Sequence, residues 1–200
     1  MATRLAPDGS IRFEDFLEAH DGVHAEWVDG LVYVMTPATP DHWRLTRFLA
    51  STLQAFAEER GLGEVFGEPF TMRTHERAGR EPDLFFVAAE NAGRVKGAFF
   101  DGPADLVIEI VSPESRTRDR SEKFGERERA GVHEYWLIDP VRKQAEAFRR
   151  TEAGRFEAVD LGTPAMLRSE ALPGMWVAVN WLWKEPLPRQ TWVLQEWGLI

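Results

Sequence analysis

A single carboxylate interrupts the apolar run Asp105-Leu-Val-Ile-Glu-Ile-Val111, and that residue, Glu109, constrains the fold more than any other. The run lacks strict alternation, so it reads as an inner strand of a sheet. An ionised Glu inside such a strand is costly unless it is paired or bound to a cation. Pro82-Asp83 opens another apolar strand, 26 residues earlier. Two carboxylates at matching heights on adjacent strands make a hard-oxygen site suited to Mg2+, which leaves places for water and a phosphate oxygen. Glu26, on an early hairpin, is a candidate third acid.

The elements around these acids are legible in outline. Phe13, Phe16 and Leu17 suggest a short first helix. Two short apolar runs, 24–28 and 31–35, are joined by Asp29-Gly30, which tolerates the positive φ of a type I′ turn and predicts a hairpin. Leu45, Phe48, Leu49, Leu53, Phe56 and Ala57 recur at helical spacing, and Pro40, Asp41 and Gly61 bound a helix over 41–60. Strands are predicted at 64–66, 69–73, 83–87, 105–111, 134–139, 143–149 and 155–160, with a polar Gly-containing loop at 88–104. A polar helix is expected from about 117 to 130, stopped by Gly131. The order of elements predicts an α/β fold with a mixed central sheet flanked by helices.

Composition narrows the chemistry. The 200 residues include no Cys, so disulfides, thiolate metal sites and cysteine nucleophiles are excluded. No apolar stretch approaches the roughly 20 residues that span a bilayer, and the first ten residues carry no apolar signal segment. The expectation is a cytoplasmic protein that does not enter a membrane. A net charge of −9 argues against coating nucleic acid by bulk electrostatics. It does not exclude an enzyme that cuts nucleic acid, because acids that hold metal have their charge offset locally.

Lysine is scarce: Lys96, Lys123, Lys143 and Lys184 are the only four. The order Pro-Asp, then Glu on a following strand, is the skeleton of the PD-(D/E)XK nucleases, in which a lysine lies two residues after the Glu. Here that position is Val111. Lys123 is the only lysine between Glu109 and the next strand, on the helix that follows, from which its long side chain would reach back. Arg116, Arg120, Lys123 and Arg127 are spaced to share one helical face, a basic stripe suited to a phosphate backbone.

The chain resembles the Uma-two family, small bacterial proteins described as restriction endonucleases and formerly filed as a domain of unknown function. The resemblance runs from about Phe13 to Trp181. It rests on Glu26-Trp-Val-Asp-Gly30, Met35-Thr-Pro37, His42, Pro82-Asp-Leu84, Asp105-Leu-Val-Ile-Glu-Ile-Val-Ser-Pro113, Asp119 with Glu122-Lys123, Ala130-Gly-Val-His-Glu-Tyr-Trp-Leu-Ile-Asp-Pro140 and Leu172-Pro-Gly174. One departure is Arg127, where the family commonly carries Tyr. The resemblance implies a restriction-endonuclease-like core with Asp83 and Glu109 as metal ligands, Lys123 as the displaced lysine and Glu26 as accessory acid. It implies hydrolysis of DNA phosphodiesters with Mg2+, or Mn2+ in its place, and a homodimer. The rival readings are a nuclease fold that binds nucleic acid without cutting, and a protein-interaction module.

Five of the eight Trp residues follow residue 175, and Pro186 and Pro188 break the chain. The expected division is a nuclease-like domain over 1–185 and a Trp-containing tail over 186–200. The tail packs either on its own domain or on a partner copy, where Trp192 and Trp197 are the candidate contacts.

Overall fold

A computed structural model of the chain describes residues 10–20, 22–35, 38–111 and 122–200. Its elements are α1 (Phe13–Ala19), β1 (Ala25–Val28), β2 (Leu31–Val34), α2 (Pro40–Arg60), β3 (Gly63–Gly67), β4 (Thr71–His75), β5 (Ala78–Arg80), β6 (Leu84–Ala88), β7 (Phe99–Asp101) and β8 (Leu106–Ile110). They continue with α3 (Phe124–Ala130), β9 (Glu134–Asp139), β10 (Gln144–Arg150), β11 (Phe156–Ala158), β12 (Met166–Arg168), β13 (Trp176–Ala178) and α4 (Gln190–Glu196). The fold is mixed α/β. A six-stranded sheet runs β11-β10-β9-β8-β6-β3, a five-stranded sheet runs β2-β1-β5-β4-β7, and β12 pairs with β13. In the larger sheet β8 and β9 are parallel and the other neighbours are antiparallel.

The Glu109 strand is inner, as its composition requires: β8 lies between β6 and β9. Alternation sorts its residues onto two buried faces. Leu106, Ile108 and Ile110 join Leu84, Phe86, Trp136 and Ile138 under α2, which contributes Leu45, Leu49, Leu53 and Phe56. Val107 and Val111 join Phe85, Val87, Tyr135 and Leu137 on the other face, against Met72 of β4 and Phe100 of β7. Glu109 has the parity of the second face, so it points toward the smaller sheet.

α2 begins with Thr39, whose hydroxyl accepts the His42 N–H at 3.2 Å, and with Pro40 in its first turn. This cap fixes where His42 emerges. The β1–β2 hairpin turns through Asp29 (φ 51°) and Gly30 (φ 83°), the positive angles that an Asp-Gly pair supplies.

One sequence expectation needs correction, one strand had no counterpart in the sequence, and one helix is described in part. The region 88–104 is not simply a loop. It holds a 3-10 turn at Ala89–Arg94 and β7, which pairs parallel with β4 and buries Phe100. β5 carries no periodic signal because its middle residue is Gly79. A side chain there would meet the ring of Phe13 at 2.6 Å, so only glycine lets α1 pack on the smaller sheet. Of the helix expected over 117–130, the described portion is α3 with residues 122 and 123 leading into it; 117–121 lie outside the described residues.

The C-terminal segment packs on its own chain. Val193 and Trp197 are buried in the core that contains α2. Trp197 meets Phe56 edge-on at 5.3 Å and donates its indole N–H to the Trp176 carbonyl at 2.8 Å. Trp197 is therefore not available as a contact between copies. Trp192 is partly exposed. Among the described residues no helix is long and apolar enough to cross a membrane.

Candidate active site

The site is built where the second face of β6 and β8 meets β1 and β5. Leu84 of β6 stands opposite Ile108 of β8, so the same register carries Asp83 opposite Glu109. Residues directly opposite in an antiparallel pair project to the same face. The Ile110 N–H donates to Asp83 Oδ2, which locks the carboxylate against the end of β8. His42 Nε2 lies 3.1 Å from the other oxygen, Oδ1. The Asp83 carboxyl is buried, which alone would raise its pKa. The hydrogen bond and charge of His42, with help from Glu68 and Lys123, outweigh burial and hold the pKa below its usual range.

Glu109 is almost fully buried and doubly paired. Lys123 Nζ donates to Oε2 at 3.0 Å, and the Arg127 guanidinium donates to Oε1 at 3.0 Å. Lys123 is 4 % exposed, and its ammonium also lies 3.5 Å from Glu26 Oε1. The lysine immediately before α3 thus reaches the Glu strand from the following helix, as the sequence expectation placed it. Val111 is buried in the apolar face with Val132 and Tyr135, which leaves no room for a cation at the usual strand position.

Glu26 projects from β1 and is completely buried. Its Oε2 accepts from Arg80 at 2.7 Å, and Arg80 also binds Glu126 of α3 with two nitrogens, at 2.9 and 2.6 Å. Burial pushes the Glu26 pKa up. The charges of Lys123, Arg80 and Arg127 outweigh that and bring it down to about 2. The sign of the linkage follows. A folded pKa below the unfolded one gives stability that is complete above about pH 4.5 and is lost as pH falls toward 2. Glu26→Gln is expected to cost about 2–4 kcal/mol at pH 7, because it leaves buried cations under-compensated. Urea unfolding at pH 7, 4.5 and 3 should show the gap between wild type and variant narrowing as pH falls. A gap that is constant, or that widens, contradicts this pairing.

Sequence reasoning missed a further acid. Glu68 sits between β3 and β4, and its carboxyl is hydrogen-bonded to Asp83. Burial, that hydrogen bond and the charges of Asp83 and Glu109 raise its pKa well above the carboxylate range. At neutral pH it keeps its proton and donates it to Asp83. His24 Nε2 lies 3.1 Å from Glu68 and 3.8 Å from Glu81, whose own pKa burial lifts to about 7. The only sequence signal for Glu68 was an acid between two strand-like runs, and nothing in spacing alone sets it apart. Arg80, three residues before Asp83, was hidden because β5 was not recognised.

The basic stripe is not as expected. Arg127 is fully buried with one nitrogen on Glu109, so it does not lie on an exposed helical face. Arg116 and Arg120 lie outside the described residues.

The buried carboxyl groups of Asp83 and Glu109 and the half-buried one of Glu68 crowd one place, and Glu68 holds a proton to relieve the repulsion. That is the condition a hard divalent cation would also relieve, so the donor set fits Mg2+ or Mn2+. A second acidic cluster reads differently. His133, Glu134 and Glu170 bring their ligating atoms within 4.8 Å of one another. Glu134 already accepts from Ser169 Oγ at 2.6 Å and from the Glu170 N–H, and Arg149 lies 2.8 Å from Glu170. This is an ion-pair network at the start of β9. Glu134 pairs with Leu106, three residues from Glu109, or about 10 Å along the sheet.

Comparison with known proteins identifies the class. A family model described as "Putative restriction endonuclease" (Uma2) matches residues 13–180. The chain belongs to that family. Among solved structures, a "putative nuclease belonging to DUF820" from Anabaena variabilis is 17% identical, with a TM-score of 0.71 over 92% of this chain and 99% of the other. That likeness shows a shared fold. No curated protein matches the chain.

Proposed function

We propose that this protein is a metal-dependent endonuclease that hydrolyses DNA phosphodiester bonds. The observation that carries the reading is the convergence of Asp83, Glu109 and Lys123 on one buried face. Asp83 and Glu109 would hold Mg2+, or Mn2+ as a substitute, with Glu68 beside them once its proton is lost. A bound divalent ion supplies Lewis-acid polarisation of the phosphate and a water of lowered pKa.

The protein's own groups do the rest. Lys123, held by Glu109 and Glu26, presents an ammonium that orients the attacking water and offsets charge at phosphorus. Glu26, anchored by Arg80, fixes where that ammonium sits. His42 and Arg127 hold Asp83 and Glu109 in place from the other side. Water adds to phosphorus, one P–O ester bond breaks, and the leaving oxygen takes up a proton. A catalytically silent module would have no need of two buried carboxyl groups with a third, protonated acid beside them, which is why the enzyme reading is preferred.

The test is incubation with duplex DNA, single-stranded DNA and RNA, each with Mg2+ or Mn2+. Metal-dependent cleavage of DNA is expected. Binding with no cleavage of any of the three contradicts the proposal. A homodimer belongs to this reading, since two-fold related sites suit scission of both strands. Light scattering at micromolar concentration should give twice the chain mass.

A further inference from the structure

A groove of about 770 Å3 lies along α2, with Leu45, Phe48, Leu182 and the prolines of 186–188 on its floor and walls. Its walls are the first turns of α2, the β9–β10 turn and the segment 182–190. Five cations line it, Arg44, Arg47, Lys143, Lys184 and Arg189, against two acids, Asp41 and Glu185. The groove thus has a local excess of three positive charges, in a chain whose net charge is −9. Two of the four lysines of the sequence are here. Asp41 is spent on Arg44, at 2.6 Å. Among the described residues, Arg47, Lys143, Lys184 and Arg189 make no ion pair.

Two of these cations lie over indole rings. The Arg47 guanidinium lies 4.7 Å from the centre of the exposed Trp43 ring, and the Lys184 ammonium 5.6 Å from that of Trp192. A second hollow continues past Lys184 and Arg189 to Trp192. Unpaired cations interleaved with aromatic faces are what a nucleic-acid strand uses: phosphates meet the cations and bases stack on the rings. Asp41 and Arg44 are neighbours in sequence of His42, which touches Asp83 from the other flank of the same helix.

We propose that this groove holds a single nucleic-acid strand, with its phosphates on Arg47, Lys143, Lys184 and Arg189. The proposal rests on the nuclease reading of the Asp83–Glu109 site and names a second place where its substrate is held. The occupant follows from charge: a polyanion complements four unpaired cations in an otherwise acidic protein.

The test is fluorescence anisotropy, in EDTA, with a labelled DNA duplex that carries a single-stranded extension. The triple variant Lys143→Glu/Lys184→Glu/Arg189→Glu should bind at least about 30-fold more weakly, with a salt slope lower by about 2 to 3. Trp192→Ala should weaken binding by about tenfold. If the triple variant melts early, Lys143→Gln and Lys184→Gln singly should each weaken binding by about threefold with unchanged melting. Wild-type affinity and slope in these variants overturn the proposal, as does failure of the wild type to bind the probe. A wild-type dimer that the triple variant splits into monomers also overturns it, because a second copy then fills the groove. Tight binding through these residues with no Mg2+-dependent cleavage leaves the groove and removes the nuclease. Cleavage with unaffected triple-variant binding does the reverse.

Discussion

Lys123→Ala should slow DNA cleavage by about a thousandfold while leaving metal affinity almost intact. Lys123 Nζ is 3.0 Å from Glu109 and 3.5 Å from Glu26, and those contacts aim it rather than neutralise it for structural ends alone. Both acids keep another cation in the variant: Glu109 keeps Arg127, and Glu26 keeps Arg80. The fold should therefore survive, and the loss should appear in the rate and not in metal titration by calorimetry. Lys123→Arg keeps the charge but cannot act as a base, so its residual activity separates orientation and charge from proton transfer. If Lys123→Ala cuts like the wild type, the lysine assignment is wrong. Arg127, already on Glu109, or Arg120 then becomes the candidate for charge stabilisation.

Glu109→Gln should abolish the stabilisation that metal gives. Saturating Mg2+ or Mn2+ is expected to raise the wild-type Tm by about 3–8 °C, because a ligand that binds only the folded state shifts the unfolding equilibrium. The variant should shift by less than about 1 °C. It also leaves Lys123 and Arg127 with one buried charge too few, so its metal-free Tm should be lower than that of the wild type. Asp83→Asn checks the same point from the opposite strand without disturbing Lys123. Equal metal shifts in wild type and both variants place the metal elsewhere, and the His133–Glu134–Glu170 network would then be the next site to examine.

The sequence carried the strand pair because burial and charge conflict openly at Glu109, and only a few arrangements resolve that conflict. It carried Lys123 because lysine is scarce and Val111 vacates the usual place. It did not carry Glu68 or Arg80. Arg80 reaches the site from the smaller sheet and Glu68 from the connection between the two sheets, and the packing of two sheets is a long-range event that local spacing does not encode. β5 escaped because Gly79 removes the alternating pattern at the point where α1 needs space. The basic stripe failed at Arg127 for a related reason. Helical spacing identifies which residues share a face but not whether that face turns inward, and Glu109 supplies a buried partner that turns it inward.

The most direct measurement is a cleavage time course on duplex DNA, run in parallel for wild type and Asp83→Ala, with Mg2+ and with EDTA. Asp83 is held by the Ile110 N–H and His42, so a melting curve run beside the assay separates loss of chemistry from loss of fold. The account predicts that wild type with Mg2+ nicks or cuts the duplex and that chelation stops it. It predicts that Asp83→Ala is slower by at least about a thousandfold at equal circular dichroism. Cleavage by Asp83→Ala at the wild-type rate, or wild-type cleavage that persists in EDTA, would contradict it.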